Sequence, residues 1–177
     1  KTQSALLEVM EEGVVTIDGV GHEVGKPFMV IATQNPVEQA GTYKLPEAQL
    51  DRFLIKTSLG YPDSETSVKL LLDSSSRQRA ARIQPIISSA SIPQMTELTS
   101  EVFVDPSVMQ YLSAIVDATR AHQDVQLGVS MRGALSLARA IKTWALGKGR
   151  TYVTPDDVRE LAVPVLAHRM IVDPESE

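Results

Sequence analysis

The apolar positions fall into two regimes. Up to Tyr61 they come in short runs broken by turn residues, and beyond it they recur at helical spacing. Residues 2–12 place Ala5, Leu6, Val9 and Met10 against Glu8, Glu11 and Glu12, an amphipathic helix with Gly13 as its stop. Val14-Val15-Thr16-Ile17 is β-branched throughout and Asp18-Gly19 is a two-residue hairpin signal, so a return arm is predicted through His22-Glu23-Val24 to Lys26. The run Phe28-Met29-Val30-Ile31-Ala32-Thr33 does not alternate, the pattern of a strand buried on both faces in a parallel sheet. A short helix over 46–52, with Pro46 in its first turn, and a second short strand over 53–58 complete this part.

Gly60-Tyr61-Pro62 marks a boundary, dividing the chain into an αβ part over 1–61 and a helical part over 62–177. Asp63 or Ser64 caps a predicted helix over 64–80, and a loose Ser-rich connector with Pro85 and Pro93 follows at 84–96. Asp105-Pro106 opens a helix with Val108, Leu112, Ile115, Val116 and Thr119 on one face. Ser130 starts another, carrying Leu135, Ala138, Ile141 and Trp144 and ended by Gly147. Thr154-Pro155-Asp156-Asp157 begins the last helix, which Pro164 should kink.

Composition narrows the classes. With 177 residues, 43% of them apolar, the chain can bury a core in one or two domains. A net charge of −5 with mixed signs gives no footprint for nucleic acid or an anionic membrane. Zero cysteines exclude disulfides and cysteine-based zinc sites and fit a cytoplasmic location. His22, His122 and His168 stand at no metal-ligand spacing, so no metal site is expected on them. No apolar run approaches the ~20 residues that span a bilayer. The chain starts at Lys1, directly before a helix with no lead-in, which predicts a segment of something longer.

Two stretches imitate phosphate loops and fail. Gly21-His22-Glu23-Val24-Gly25-Lys26-Pro27 is one residue short of a Walker A loop and puts proline where the Mg²⁺-holding hydroxyl belongs. Gly19-Val20-Gly21 with Gly25 misses the dinucleotide fingerprint by one residue. These glycines serve turns.

Three polar residues remain as candidates. Asn35 follows the strongest predicted strand, where an amide can face a ligand beyond the strand ends, although position alone favours a residue that turns the chain before Pro36. Arg52 ends its short helix, a favourable place for a cation, with Asp51 and Glu47 as nearby partners. Arg132 stands in the first turn of a helix, where a cation opposes the dipole and calls for an anionic partner.

The string Ala32-Thr33-Gln34-Asn35-Pro36, then Gly41-Thr42-Tyr43, then Leu45-Pro46-Glu47-Ala48-Gln49-Leu50-Asp51-Arg52-Phe53, closely resembles the MoxR-type AAA+ ATPases. The likeness is specific over 1–62 and weaker but coherent over 96–172. It implies an α/β fragment of an AAA+ P-loop NTPase core, an incomplete parallel sheet plus a β-hairpin, followed by an all-α helical lid. By the same resemblance Asn35 is sensor 1, helping to place the water that attacks the γ-phosphate of Mg·ATP. Arg52 is the arginine finger inserted into a neighbouring subunit's ATP site, a device worth roughly 10³–10⁵ in rate in characterised NTPases. Gly128-Val129-Ser130-Met131-Arg132-Gly133 is similar to the lid motif whose arginine is sensor 2, reaching the γ-phosphate in cis, with Met131 where the family usually has proline. Glu47 could face a neighbouring subunit or be a merely solvated surface carboxylate; His168-Arg169 could touch nucleotide or a neighbour, but reads rather as a solvated helix terminus. The hairpin at 14–26 fits the family's pre-sensor 1 insertion, basic in DNA-translocating relatives but not here, with Asp18, His22, Glu23 and Lys26.

The implied parent is a ring, a hexamer, that uses ATP and Mg²⁺ to remodel or mature protein complexes with a von Willebrand factor A-type partner. Its Walker A loop and Walker B pair would lie upstream of Lys1, so the segment alone is expected to be inactive. In the family a P-loop strand lies between those matching 28–33 and 53–58. Without it, either a strand-mediated or swapped dimer or a largely helical structure with a rearranged αβ piece is expected. Two other readings stay open: a non-enzymatic helical interaction module over 62–172, and a DNA-translocating subunit, which the charge disfavours.

Overall fold

The computed structural model describes residues 2–34, 47–72 and 83–174. Helix α1, Thr2–Glu12, ends where Gly13 takes φ +68 and its N–H donates to Val9 O at 3.0 Å. β1 (Val14–Ile17) and β2 (Val20–Glu23) pair antiparallel, with Ile17 opposite Val20. Asp18 and Gly19 both have positive φ, 51 and 80, as the tight turn that matches strand twist requires. The hairpin leans back on α1, where Thr16 Oγ1 donates to Glu8 Oε1 at 2.6 Å.

The two expected strands at 28–33 and 53–58 do not form. Residues 28–34 run irregularly with Met29 79% and Ile31 84% exposed, and 53–58 joins no ladder. A strand of the buried type needs backbone partners along its edges, and none of the described segments supplies them. Lys56 N instead donates to Pro164 O at 2.9 Å, meeting a carbonyl near the end of the last helix that has no helical donor of its own. Of the two expected arrangements, the single chain adopts the helical one with a rearranged αβ piece.

α2 is one turn, Glu47–Leu50, closed by Phe53 N donating to Leu50 O at 3.0 Å. α3 runs Ser64–Leu72 with Asp63 Oδ1 accepting from Thr66 N at 2.7 Å; its predicted continuation to 80 lies outside the described residues. The predicted connector at 84–96 is partly wrong, because α4 occupies Ser91–Ser100. Pro93 falls in its first turn, where the missing N–H would have had no helical acceptor.

The last three helices hold the core. α5 (Pro106–Ala121) is capped by Asp105, which accepts from Ser107 N at 2.9 Å. α6 (Met131–Gly147) is capped by Ser130, which accepts from Gly133 N at 3.2 Å. α7 spans Pro155–Leu166, continues past Pro164, and tightens into a 3-10 turn over Ala167–Arg169. Leu112, Val116, Leu137, Ile141, Val158 and Val165 are buried between them. The predicted face of α6 is only partly the buried one: Ile141 is enclosed as expected, but Leu137 is enclosed beside it while Leu135 and Trp144 are exposed. Trp144 has a polar reason, since its indole N–H donates to Glu160 Oε2 at 2.7 Å. Two small unpredicted pairings tie the loops. β3 (Val125–Leu127) runs antiparallel to β4 (Ile171–Val172), and Phe103 bridges Tyr152. Both are too short for any periodicity to announce them.

Candidate functional site

Four chain segments distant in sequence meet at one place: the end of α1, the turn after α2, the start of α6 and the 3-10 turn after α7. From them come Glu11, Asp51 with Arg52, Ser130 with Arg132, and His168 with Arg169.

Arg132 has the anionic partner its position demanded. Its Nη2 donates to Glu11 Oε1 at 2.6 Å, and its Nη1 lies 3.9 Å from Asp51 Oδ2. Arg52 pairs with the other oxygen of the same Glu11 carboxylate. The finger and sensor 2 candidates are therefore brought together on one acidic group, both partly open to solvent. Asn35, the sensor 1 candidate, lies outside the described residues.

Arg169 corrects the expectation of a solvated terminus, for only 1% of its side chain is exposed. Its Nε donates to Val165 O at 2.9 Å, its Nη1 to Asp51 O and Oδ1 at 2.6 Å each, and its Nη2 to Phe53 O at 2.8 Å. A buried guanidinium is tolerable because donors and charge are satisfied together. Gly133 makes room for it: a Cβ there would stand 2.7 Å from Val129 Cγ1 and 3.0 Å from Arg169 Cδ. His168 Nε2 lies 2.9 Å from Phe53 O, so it carries the proton and donates, while Nδ1 is buried without a partner among the described residues. Burial holds the imidazole pKa below its ordinary value, against the bond to Phe53 O, with the Arg169 charge adding to the depression.

Sequence reasoning missed Glu11 and Arg169, and took Asp51 only as a neighbour of Arg52. One signal was available: Arg169 is bounded by Leu166-Ala167 and Met170-Ile171, an apolar setting for a supposedly solvated cation.

Three guanidinium groups face two carboxylates here, leaving one positive charge in excess. Planar, permanently charged donors in a fork suit phosphoryl oxygens, so Arg52 and Arg132, the two that are partly open to solvent, fit the phosphate end of a nucleotide. They do not fit its metal: among the described residues no three His, Cys, Asp or Glu side chains gather to hold an ion. Nor do the 177 residues contain a GxxxxGK[ST] loop. A separate pocket of about 320 Å³ is lined by Lys56, Thr57, Ser58, Val163, Ala167 and His168. No helix among the described residues is long and apolar enough to cross a membrane.

Comparison with known proteins places the chain in a family. The family model for ATPases associated with various cellular activities matches residues 1–55, and that of the AAA lid domain matches residues 117–177. The uncharacterised protein YeaC of Bacillus subtilis is 46% identical over all of this chain and 55% of its own length. The chaperone MoxR1 of Mycobacterium tuberculosis is 38% identical over 97% of this chain and 48% of its own. A crystal structure of a proposed ATPase from Cytophaga hutchinsonii superposes with a TM-score of 0.86 at 38% identity, covering 98% of this chain and 56% of that one. The chain thus spans about half the length of the curated relatives it matches. With core and lid segments both matched and MoxR-named relatives aligned along almost its whole length, the chain belongs to the MoxR-type AAA+ ATPase family.

Proposed function

We propose that the chain supplies the sensor, finger and lid elements of an ATP-driven chaperone ring, a hexamer, that remodels or matures protein complexes in the cytoplasm. The carrying observation is the convergence of Arg52 and Arg132 on Glu11. Two guanidiniums that share one carboxylate lie close enough to share one phosphate, so both serve the same nucleotide. Arg52 acts on a neighbouring subunit's ATP in this reading, and Arg132 joins it there rather than reading the nucleotide of its own subunit. Glu11 holds the pair until the anion replaces it. Asn35 places the attacking water, and ATP and Mg²⁺ are held by loops outside these 177 residues. A von Willebrand factor A-type protein is the proposed partner, and nucleic acid is not.

The chemistry is in-line attack of water on the γ-phosphate. ATP supplies the electrophilic phosphorus. The residues here orient water at Asn35 and neutralise charge on the phosphoryl oxygens at Arg52 and Arg132. The segment alone neither binds ATP tightly nor hydrolyses it.

Subunit mixing in the full-length ring tests this. Arg52→Ala and Arg132→Ala subunits should each poison ATP turnover of wild-type neighbours, while an equal mixture of the two restores none. An Arg132→Ala subunit that leaves its neighbours' turnover intact would overturn the shared-nucleotide reading. A second reading, a helical module that binds a partner protein, is favoured by an apolar groove of about 210 Å³ between α5 and α6, lined in part by Met109, Leu112, Met131 and Leu135. Loss of partner binding with ATPase retained in Arg132→Ala would select it.

A further inference from the structure

We propose that Arg169 is the positioning residue for Arg52, clamping the backbone on both sides of it to the end of the lid's last helix. This rests on the reading of Arg52 as the finger. The carbonyls that flank Arg52 are Asp51 O and Phe53 O, and one guanidinium takes both, at 2.6 and 2.8 Å. The same group grips the Asp51 carboxylate, and its own base is fixed by Nε on Val165 O. His168 adds a second donor at Phe53 O.

Arg52 stands two residues beyond the end of α2, and among the described residues no strand holds that turn. Glu11 holds the Arg52 side chain, and the 3-10 turn after α7 holds the backbone on both sides of it. The Arg169 stem also passes against Gly133, next to Arg132, so one side chain touches the finger's turn and the start of α6. A displacement of the lid moves both guanidiniums together. Lysine cannot replace this device, because an ammonium lacks the rigid fork that reaches two carbonyls and a carboxylate at once.

The experiment uses the full-length, assembled protein with Arg169→Lys and Asp51→Asn, alone and combined with Arg52→Ala. Both single variants should lower kcat about tenfold or more with KM for ATP unchanged, because the finger acts in the transition state. Neither should reduce turnover further in the Arg52→Ala background. Hydrogen exchange at the amides of Arg52, Phe53 and Lys56 should quicken in both, while exchange along α6 stays the same. Unchanged kcat in both variants while Arg52→Ala is inactive overturns the clamp, as does a loss that adds to Arg52→Ala, or unaltered exchange at those amides. If Arg52→Ala itself turns over normally, the finger reading fails and the clamp falls with it, even where the exchange result stands. Should Arg169→Lys not fold, Asp51→Asn carries the test, since it keeps both carbonyl acceptors.

Discussion

Glu11 and Arg132, 121 positions apart, form an ion pair at 2.6 Å, and the second oxygen of that carboxylate takes Arg52. An acidic group holding two phosphate-type donors competes with any anion for them. Glu11→Gln removes two exposed pairs, so stability should fall by only about 1 kcal/mol. Released guanidiniums should bind inorganic pyrophosphate roughly tenfold tighter. Calorimetric titration of wild type and variant decides it, and equal affinity would refute competition.

The lid carries its own charge pair, a buried carboxylate held by a partly exposed guanidinium. Asp157 is 1% exposed and takes Arg150 at 2.8 and 2.5 Å, with Thr154 N and Oγ1 at 2.8 and 3.0 Å. The Arg150 guanidinium holds the carboxyl pKa to about 2, below the usual carboxylate value. Asp157→Ala removes the buried carboxylate that the partly exposed Arg150 and the Thr154 N–H share, and should cost about 1–3 kcal/mol at pH 7 by denaturant unfolding. Since the folded pKa is depressed, this contribution is full above about pH 4 and is lost as pH falls through about 2. The gap between wild type and variant should therefore narrow in acid.

His168 works in a different window. Its folded pKa is depressed, chiefly by burial, so the folded state prefers the neutral ring. The unfolded chain binds the proton first, near an ordinary histidine pKa of about 6.5, and stability declines as pH drops below that. Thermal unfolding at pH 7.5 and 5.5 should show a drop in Tm that is smaller in His168→Gln. An equal drop in both proteins would exclude His168 as its source.

Packing gives two contrasting substitutions. Leu137 is fully enclosed, and Leu137→Ala should cost about 2–5 kcal/mol. Gly128 lies under Arg120, where an added Cβ would stand 2.7 Å from Arg120 Cα and 2.8 Å from its N. The obstacle is helix backbone, so Gly128→Ala should destabilise by about 1–3 kcal/mol, as overpacking does. A Gly128→Ala protein as stable as wild type would show that α5 yields.

Residues 28–34 predict self-association. Met29 and Ile31 are 79% and 84% exposed in a stretch with no ladder partner among the described residues, the kind of surface that pairs with a second chain. Light scattering of the isolated segment should show a concentration-dependent dimer, weakened by Ile31→Lys. A monomer across the micromolar range would rule this out.

Local chemistry was legible. The hairpin at Asp18-Gly19, the caps at Asp105 and Ser130 and the stop at Gly13 each depend on neighbours within a few positions, and sequence reading placed them. The parallel strands expected at 28–33 and 53–58 do not form, although their apolar runs are of the right type, because a strand exists only where another backbone runs beside it. The helix over Ser91–Ser100 was hidden by a proline that its first turn tolerates.

By itself, then, the sequence determined the family, the helical second half, and the candidacy of Asn35, Arg52 and Arg132. Tertiary structure alone decided that Arg52 and Arg132 share Glu11, and that Arg169 is buried against Asp51 and Phe53. The reason is range. A cap or a turn is settled between adjacent residues, whereas a charge at position 169 finds its partner at position 51 only after the helices between them have packed.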